Sequence, residues 1–125
     1  MSKVLIIDDD KSIRFPGLHK FWSNQGIDTY TWLTTWPKNF FDILINNPNI
    51  THLSLDHDLG SDDVSRELGR LFHEYSEEDI RKAFNNIHVV VHSMNPQGAG
   101  NIANRLEPFC ASVSVIPFSQ MAGLK

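Results

Sequence analysis

The acidic residues of this chain gather directly after short apolar stretches. One acidic group begins at Asp8 and a second, which includes a histidine, begins at Asp56. Carboxylates brought close together repel one another and need a cation, a raised pKa or both. A hard divalent ion such as Mg²⁺ suits carboxylate oxygens and keeps waters that a phosphate can replace. We therefore predict a Mg²⁺ site formed by Asp8, Asp9 and Asp56, whereas Asp10 fits the simpler role of capping a helix.

Two of the six histidines lie in the same kind of setting. His57 stands between two aspartates, and His92 follows an apolar stretch and directly precedes Ser93. A neutral imidazole can act as a base and an imidazolium as an acid, so this pair can serve phosphodiester hydrolysis. The other four are expected to be surface or packing residues: His19, His52, His73 and His88.

Two features can hold a phosphate. The planar guanidinium of Arg14 suits two phosphate oxygens, although a plain surface arginine explains it equally well. The glycine-rich segment Asn95–Gly100 is predicted to precede a helix, and its backbone N–H groups can cradle an anion. A simple turn is the alternative explanation for these glycines.

The apolar stretches predict the elements that position these groups. Short, wholly apolar runs are typical of strands buried on both faces of a parallel sheet. Alternation with helical segments gives the order βαβαβαβαβ, which indicates an α/β fold with a doubly wound, five-stranded parallel sheet. In the order 2-1-3-4-5, strands one, three and four are neighbours, so their polar ends converge on the rim where ligands bind. The predicted strands are Val4–Ile7, Ile27–Leu33, Ile50–Leu55, Ile87–Val91 and Val113–Ile116.

Proline, glycine and N-capping residues mark the predicted helices. The predicted helices are one with Pro16 in its first turn and Gly26 after its end, one opened by Pro37 and stopped by Asn46–Pro48, one over Val64–Tyr75, one capped by Ser76, and one over Asn101–Pro108. The tail after Ile116 is expected to be too short for a full final helix.

Composition sets limits on the class of protein. The 125 residues suit one domain, predicted over 1–125, and 41% hydrophobic with 21% charged residues is typical of a globular protein. A net charge of -4 argues against a polyanion partner but not against a small phosphate. The single cysteine, Cys110, excludes an internal disulfide. With no apolar run of membrane-spanning length and no signal-peptide pattern, we expect a cytoplasmic protein without a membrane partner.

The polar strand ends resemble those of response-regulator receiver domains. Asp8 and Asp9 match the acidic pair after the first receiver strand, Asp56 the phosphoacceptor, and Ser93 the hydroxyl after the fourth strand. The receiver lysine after the fifth strand is missing, because the chain reads Ile116–Phe118 there. That lysine pairs with the phosphoryl group, so its absence argues against a phospho-switch.

Three motifs resemble more closely the cyclic-phosphate processing receiver domains. They are the acidic pair followed by Arg14 and Pro16, the run Leu55–Gly60, and the run His92–Gly98, which reads His-Ser-x-Asn-Pro-x-Gly. The resemblance covers nearly the whole chain and implies a receiver-like or flavodoxin-like fold. It also implies handling of a cyclic phosphate, on a nucleotide or at a nucleic-acid end.

Two functions remain open at this point. The first is a cyclic phosphodiester hydrolase, in which the metal bound by the aspartates polarises the phosphoryl oxygen. Its catalytic residues are predicted to be His57, His92 and Asp56, and its substrate-binding residues Arg14, Ser93, Asn95 and Gly98. The second is a non-catalytic binding or signalling module that senses a phosphorylated ligand or takes phosphate on Asp56. Such a module needs a separate signalling protein as its partner.

Overall fold

The computed structural model describes residues 2–59 and 62–123, and it contains a five-stranded parallel sheet. The strands are β1 Lys3–Ile7, β2 Tyr30–Leu33, β3 Ile50–Leu55, β4 His88–Val91 and β5 Ser112–Val115. Their order in the sheet is β2-β1-β3-β4-β5, which confirms the predicted α/β, receiver-like sheet. A separate short ladder pairs Asp58–Leu59 with Asp62–Asp63 in the antiparallel sense.

The register of the three central strands aligns their carboxyl ends. Ile7 pairs with Leu55, and Leu55 pairs with Val91. The next residue of each strand continues the pattern, because Asp56 N–H donates to Ile7 O at 3.0 Å and His92 N–H donates to Leu55 O at 2.9 Å. The polar groups after the three strands therefore begin side by side at one edge of the sheet.

The sheet is covered by helices on both faces, as its alternating side chains require. The helices are α1 Lys11–Asn24, α2 Phe40–Asn46, α3 Val64–Glu74, α4 Glu77–Phe84, α5 Pro96–Leu106 and α6 Phe118–Gly123. In β1, Leu5 and Ile7 join the core under α2 to α5, whereas Val4 and Ile6 join a smaller core under α1 and α6. None of the helices within the described residues is both long and apolar enough to cross a membrane.

Helix α1 corrects one prediction and confirms another. Pro16 lies inside the helix and not in its first turn, which begins at Lys11. The helix continues past the proline because Leu18, Phe21 and Trp22 are buried against the sheet, and this burial outweighs the local cost of one missing N–H. Gly26 follows the helix with φ of 82°, the left-handed conformation that glycine adopts freely.

Helices α2 to α4 follow the predicted pattern with small shifts. The helix predicted to open at Pro37 begins at Phe40, and its Ile45 is 56% exposed. The predicted helices over Val64–Tyr75 and after Ser76 are both present. The Ser76 hydroxyl accepts from Asp79 N–H at 3.2 Å, which is the predicted N-cap.

The last third of the chain contains more helix than its sequence predicts. Helix α5 begins at Pro96 and not at Asn101, because Asn95 caps it and Pro96 occupies its first turn, where a missing N–H costs nothing. A short final helix, α6, is also present where none was expected. Its Met121 is fully buried in the smaller core, which stabilises a segment too short to be helical alone.

Candidate functional site

A polar cleft of about 440 Å³ lies at the carboxyl edge of the sheet. It is formed by the loops after β1, β3 and β4 together with the first turns of α1. The lining residues are Asp9, Asp10, Arg14, Asp56, Asp58, Ser93, Met94 and Asn95. The rim of parallel strands is where open α/β folds bind ligands, so this cleft is the candidate site.

Arg14 lies between two buried carboxylates. Its Nη1 is 3.1 Å from Oδ2 of Asp8 and 3.1 Å from Oδ2 of Asp56. The ring of Phe118 lies 5.4 Å from the guanidinium carbon, a cation–π distance that steadies the group. Arg14 therefore supplies the positive charge that keeps Asp8 and Asp56 together, and it lines the cleft with 20% of its side chain exposed.

His92 lies behind the cleft and not in its wall. Its Nε2 donates to Oδ2 of Asp8 at 2.7 Å, and its Nδ1 is 2.8 Å from the Ser54 hydroxyl. The side chains of His92 and Asp8 are both fully buried. The geometry therefore departs from the prediction that His92 exchanges protons directly with a bound water, since both ring nitrogens face buried protein partners.

The two buried carboxylates have opposite pKa shifts. Burial pushes the pKa of Asp8 upward, but hydrogen bonds from His92 and Asp10 N–H, with the charges of His92 and Arg14, outweigh it and lower the pKa overall. For Asp56, burial and then the charge of Asp8 raise the pKa above its ordinary value, against the opposing effects of His92 and Arg14. The protein therefore stabilises the ionised form of Asp56 less than that of Asp8.

The predicted metal ligands do converge. One carboxylate oxygen each from Asp8, Asp9 and Asp56 lies within 4.8 Å of the others. Asp9 is exposed, and the other two are buried. Three carboxylates are a suitable donor set for a hard divalent cation. Because Arg14 contacts Oδ2 of both buried carboxylates, a cation in this cluster would share or replace those contacts.

His57 is held between two carboxylates of the short ladder after β3. Its Nδ1 lies 2.8 Å from Oδ1 of Asp58, and its Nε2 lies 2.9 Å from Oδ1 of Asp63. The His57 side chain is 9% exposed, and Asn95 Nδ2 approaches Nδ1 at 3.5 Å. His57 is therefore fixed at the margin of the cleft, where Asp58 separates it from open space.

Gly98 lies in direct contact with the His57 ring, and its backbone N–H is already hydrogen-bonded. A Cβ atom at Gly98 would lie 2.4 Å from His57 Cγ, so the imidazole packs directly on the backbone of α5. The N–H of Gly98 donates to Oδ1 of Asn95 at 3.0 Å and completes the cap of that helix. The prediction of a glycine-rich anion loop is therefore wrong for Gly98, because this segment forms the first turn of α5.

The segment after β4 contributes polar groups to the cleft wall. The Ser93 hydroxyl accepts from Asn95 N–H at 3.0 Å and is nearly buried. Met94 between them is 52% exposed and gives the rim one apolar side chain. Ser93 and Asn95 thus lie where the sequence predicts, with part of their hydrogen-bonding capacity used locally.

Several contributors were missed by the sequence analysis. Ser54 lies between two leucines of β3, and a polar residue at such a position indicates that its side chain has a buried hydrogen-bond partner. Trp32 donates from Nε1 to the backbone oxygen of Asp8 at 2.8 Å. Asp63 and Phe118 depend on chain folding that local patterns do not specify.

The other histidines lie away from the cleft. His19 stacks on Phe15 with 5.3 Å between ring centroids, and His73 is exposed. His52 stacks on His88 at 5.1 Å, and burial together with the charge of His88 lowers the pKa of His52. Their surface and packing positions agree with the sequence prediction.

Comparison with known families finds one match over most of the chain. The model of a family described as cyclic-phosphate processing Receiver domain matches residues 3–108. No curated protein matches the chain.

Solved receiver domains share the fold. A response regulator from Burkholderia pseudomallei, solved with a phosphorylated aspartic acid, a calcium ion and citrate, superposes with a TM-score of 0.57 at 14% identity, covering 100% of this chain and 67% of that one. A receiver domain from Clostridium thermocellum gives 0.58 at 13%, covering 98% and 89%. The non-phosphorylated HemR receiver domain from Leptospira biflexa gives 0.54 at 12%, covering 100% and 97%. At such identities the similarity shows the fold alone.

Proposed function

The chain belongs to the cyclic-phosphate processing receiver domains, and from that premise we propose that its cleft binds a cyclic phosphate and hydrolyses it with a divalent metal, most suitably Mg²⁺. The observation that carries the proposal is the contact of Arg14 with both Asp8 and Asp56. It places a cation suited to phosphate inside an acidic cluster suited to a metal.

Asp8, Asp9 and Asp56 would hold the metal. When bound, a divalent ion neutralises charge on the phosphoryl group and polarises its oxygen. Asp9 is the exposed member and gives the cluster its opening to solvent. The buried pair is already oriented, because Oδ1 of Asp8 accepts from Asp10 N–H and Oδ1 of Asp56 accepts from His57 N–H, each at 2.8 Å.

Arg14 would exchange a carboxylate oxygen for a phosphate oxygen. Its guanidinium carries five N–H donors, and the contacts with Asp8 and Asp56 both use Nη1. Ser93 and Asn95 face the same cleft and can position the remaining phosphate oxygens. Ile116 directly follows the fifth strand, where receiver domains carry lysine, so Arg14 is the cation of this cleft that can take over the lysine's role.

His57 is the candidate acid for the leaving oxygen. Asp58 lines the cleft, and its Oδ1 lies 2.8 Å from His57 Nδ1. Asp58 would therefore connect the His57 ring to a ligand that binds in the cleft. His92 takes a different role, because its partners Asp8 and Ser54 are themselves buried, whereas Asp58 is exposed at the cleft. We assign it to positioning Asp8 and not to direct proton exchange with substrate.

A receiver role is the alternative function, and the position of Asp56 favours it. Asp56 follows β3 at the place of the receiver phosphoacceptor, and the fold is shared with response regulators. In this alternative, Asp56 takes phosphate and a separate protein reads the change. Oδ2 of Asp56, which is bonded to Arg14, would be the accepting oxygen.

A hydrolysis screen tests the proposal. The metal-free protein is incubated with cyclic nucleotides and with short RNAs that end in a 2′,3′-cyclic phosphate, with and without Mg²⁺ or Mn²⁺. We expect metal-dependent ring opening that is lost in Asp56→Asn and kept in Asp42→Asn, an exposed aspartate on α2. Absence of turnover on every substrate, with labelling of Asp56 by acetyl phosphate, would instead support the receiver role.

A further inference from the structure

Two histidines meet on the sheet far from the acidic cleft. His52 of β3 and His88 of β4 are register partners on neighbouring parallel strands, so their side chains leave the same face. Their ring centroids are 5.1 Å apart with 29° between the ring planes. His52 precedes Asp56 by four residues along β3, which separates the pair from the cleft by about 13 Å of strand.

Each imidazole is oriented by a hydroxyl group at Nδ1. His52 Nδ1 lies 2.8 Å from Oγ1 of Thr51, and His88 Nδ1 lies 2.8 Å from Oγ of Ser112. When Nδ1 donates its proton to the hydroxyl oxygen, Nε2 keeps a free lone pair, which is how supporting groups orient metal-binding histidines. Within the described residues, neither Nε2 has a hydrogen-bond partner.

The pair lies beside an open cavity of about 490 Å³. Trp22 borders it and meets the His52 ring edge-on at 5.5 Å, which limits the movement of that ring. Gln25 and Ser114 add polar groups to the cavity wall. The space admits an ion together with the waters that complete its coordination.

We propose that His52 and His88 form a second metal site, which binds a borderline divalent ion of the Zn²⁺, Ni²⁺ or Cu²⁺ class through their Nε2 atoms. Imidazole nitrogen suits these ions, whereas Mg²⁺ prefers the carboxylates of the cleft. Two imidazoles bound to one tetrahedral ion at about 2.1 Å have ring centroids roughly 5 Å apart. The observed centroid distance of 5.1 Å matches this value, so the two rings already lie at the separation that one shared ion requires.

Calorimetry with ZnCl₂ on chelator-stripped protein tests the site. Saturating Mg²⁺ is present throughout, so that the acidic cleft is less available to zinc. We expect one zinc ion per chain, with affinity at least tenfold weaker in His52→Ala and in His88→Ala. His73→Ala, an exposed histidine elsewhere, and Asp56→Asn should both keep the histidine-dependent binding.

Histidine NMR gives an independent reading. Zinc should shift the Nε2 resonances of two histidines, and the same two should vanish in the double variant. Where an alanine variant fails to fold by circular dichroism, His52→Gln and His88→Gln replace it. Zinc binding of unchanged affinity in both histidine variants, or no zinc binding by the wild type, would overturn the proposal.

Discussion

Nε2 of His92 donates to Oδ2 of Asp8 at 2.7 Å, although the two residues are 84 positions apart in the chain. Both side chains are fully buried, and Asp8 also accepts from Arg14. A buried carboxylate is tolerated only when charges and donors compensate for its lost hydration. The order of the acidic cleft therefore depends on a buried histidine that does not line it.

Removing His92 should destabilise the fold. His92→Ala leaves Asp8 with a lost donor in a buried position, and breaking a buried pair in this way costs about 3–5 kcal/mol. His92→Gln should recover part of the loss because its amide can still donate to Asp8. Urea unfolding measures both, with His73→Ala as the exposed control. A His92→Ala protein as stable as the wild type would contradict the buried-pair argument.

Asp56 should reduce stability as it ionises. Burial and then the charge of Asp8 raise its folded-state pKa above the ordinary value of 3.8. The folded state therefore holds the proton more tightly than the unfolded state, so stability falls as pH rises through the window from about 3.8 to the folded-state pKa. Above that window the cost is constant.

Asp56→Asn removes this cost and should stabilise the metal-free protein at pH 7. A gain of about 1 kcal/mol would raise Tm by roughly 3–5 °C for a chain of this size. The difference between variant and wild type should shrink as pH falls toward 3.8. Thermal melts in chelator across this pH range measure it, and a variant less stable than wild type at pH 7 would mean that the bond to Arg14 outweighs the repulsion from Asp8.

Gly98 and Gly100 give a matched pair of substitutions within α5. Gly98→Ala places a methyl group 2.4 Å from His57 Cγ and should displace the ring, at a cost of roughly 1–3 kcal/mol. Gly100→Ala meets nothing within 4 Å and should stabilise the helix by about 0.5–1 kcal/mol. Urea unfolding separates the two, and histidine NMR should show His57 perturbed in Gly98→Ala alone. Equal effects at both positions would argue against close packing of His57.

Mg²⁺ should stabilise the protein through the aspartate cluster. A ligand that binds only the folded state adds about 2.7 kcal/mol at a hundredfold excess over its Kd. Asp9→Asn should remove most of this gain without unfolding the protein, because Asp9 is exposed. Thermal melts with and without Mg²⁺ measure the shift, with Asp42→Asn as the control. A shift of equal size in Asp9→Asn would place the ion elsewhere.

The strand ends were predictable because two physical rules coincide there. A wholly apolar run such as Val4–Ile7 is buried on both faces and so belongs inside a parallel sheet. Parallel register then aligns the ends of neighbouring strands, which brings Asp8, Asp56 and His92 together. The place of the site follows from these rules without any knowledge of side-chain packing.

The roles of individual side chains were less predictable because they depend on tertiary packing. The sequence does not reveal that His92 turns inward to Asp8 and Ser54, away from solvent. The local sequence also does not reveal that Gly98 is packed against the His57 ring. A glycine required by such packing cannot be distinguished in sequence from a glycine required by a turn. Pro16 likewise indicates a helix start, which the buried face of α1 overrides.

Experiments on His57 and on Ile116, the residue after β5, distinguish the two proposed functions. If the protein hydrolyses a cyclic phosphate with His57 as the acid, His57→Ala should lower turnover about a hundredfold and leave metal binding intact. If Asp56 is a phosphoacceptor, acetyl phosphate should label it, and His57→Ala should leave the labelling nearly unchanged. Labelling by acetyl phosphate is expected to be weak, because Ile116 stands where receiver domains place a lysine.

Ile116→Lys tests that explanation directly. Receiver domains carry at this position a lysine that pairs with the phosphoryl group, so labelling of Asp56 should rise in the variant if the missing lysine is the cause. Mass spectrometry of the intact chain measures the phosphorylated fraction, with Val115→Lys, at an exposed neighbouring position, as the control for added charge. Strong labelling of the wild type together with no turnover of any cyclic phosphate would favour the receiver role. Turnover without labelling in either protein would favour hydrolysis, since Asp56 would then bind the metal and not accept a phosphoryl group.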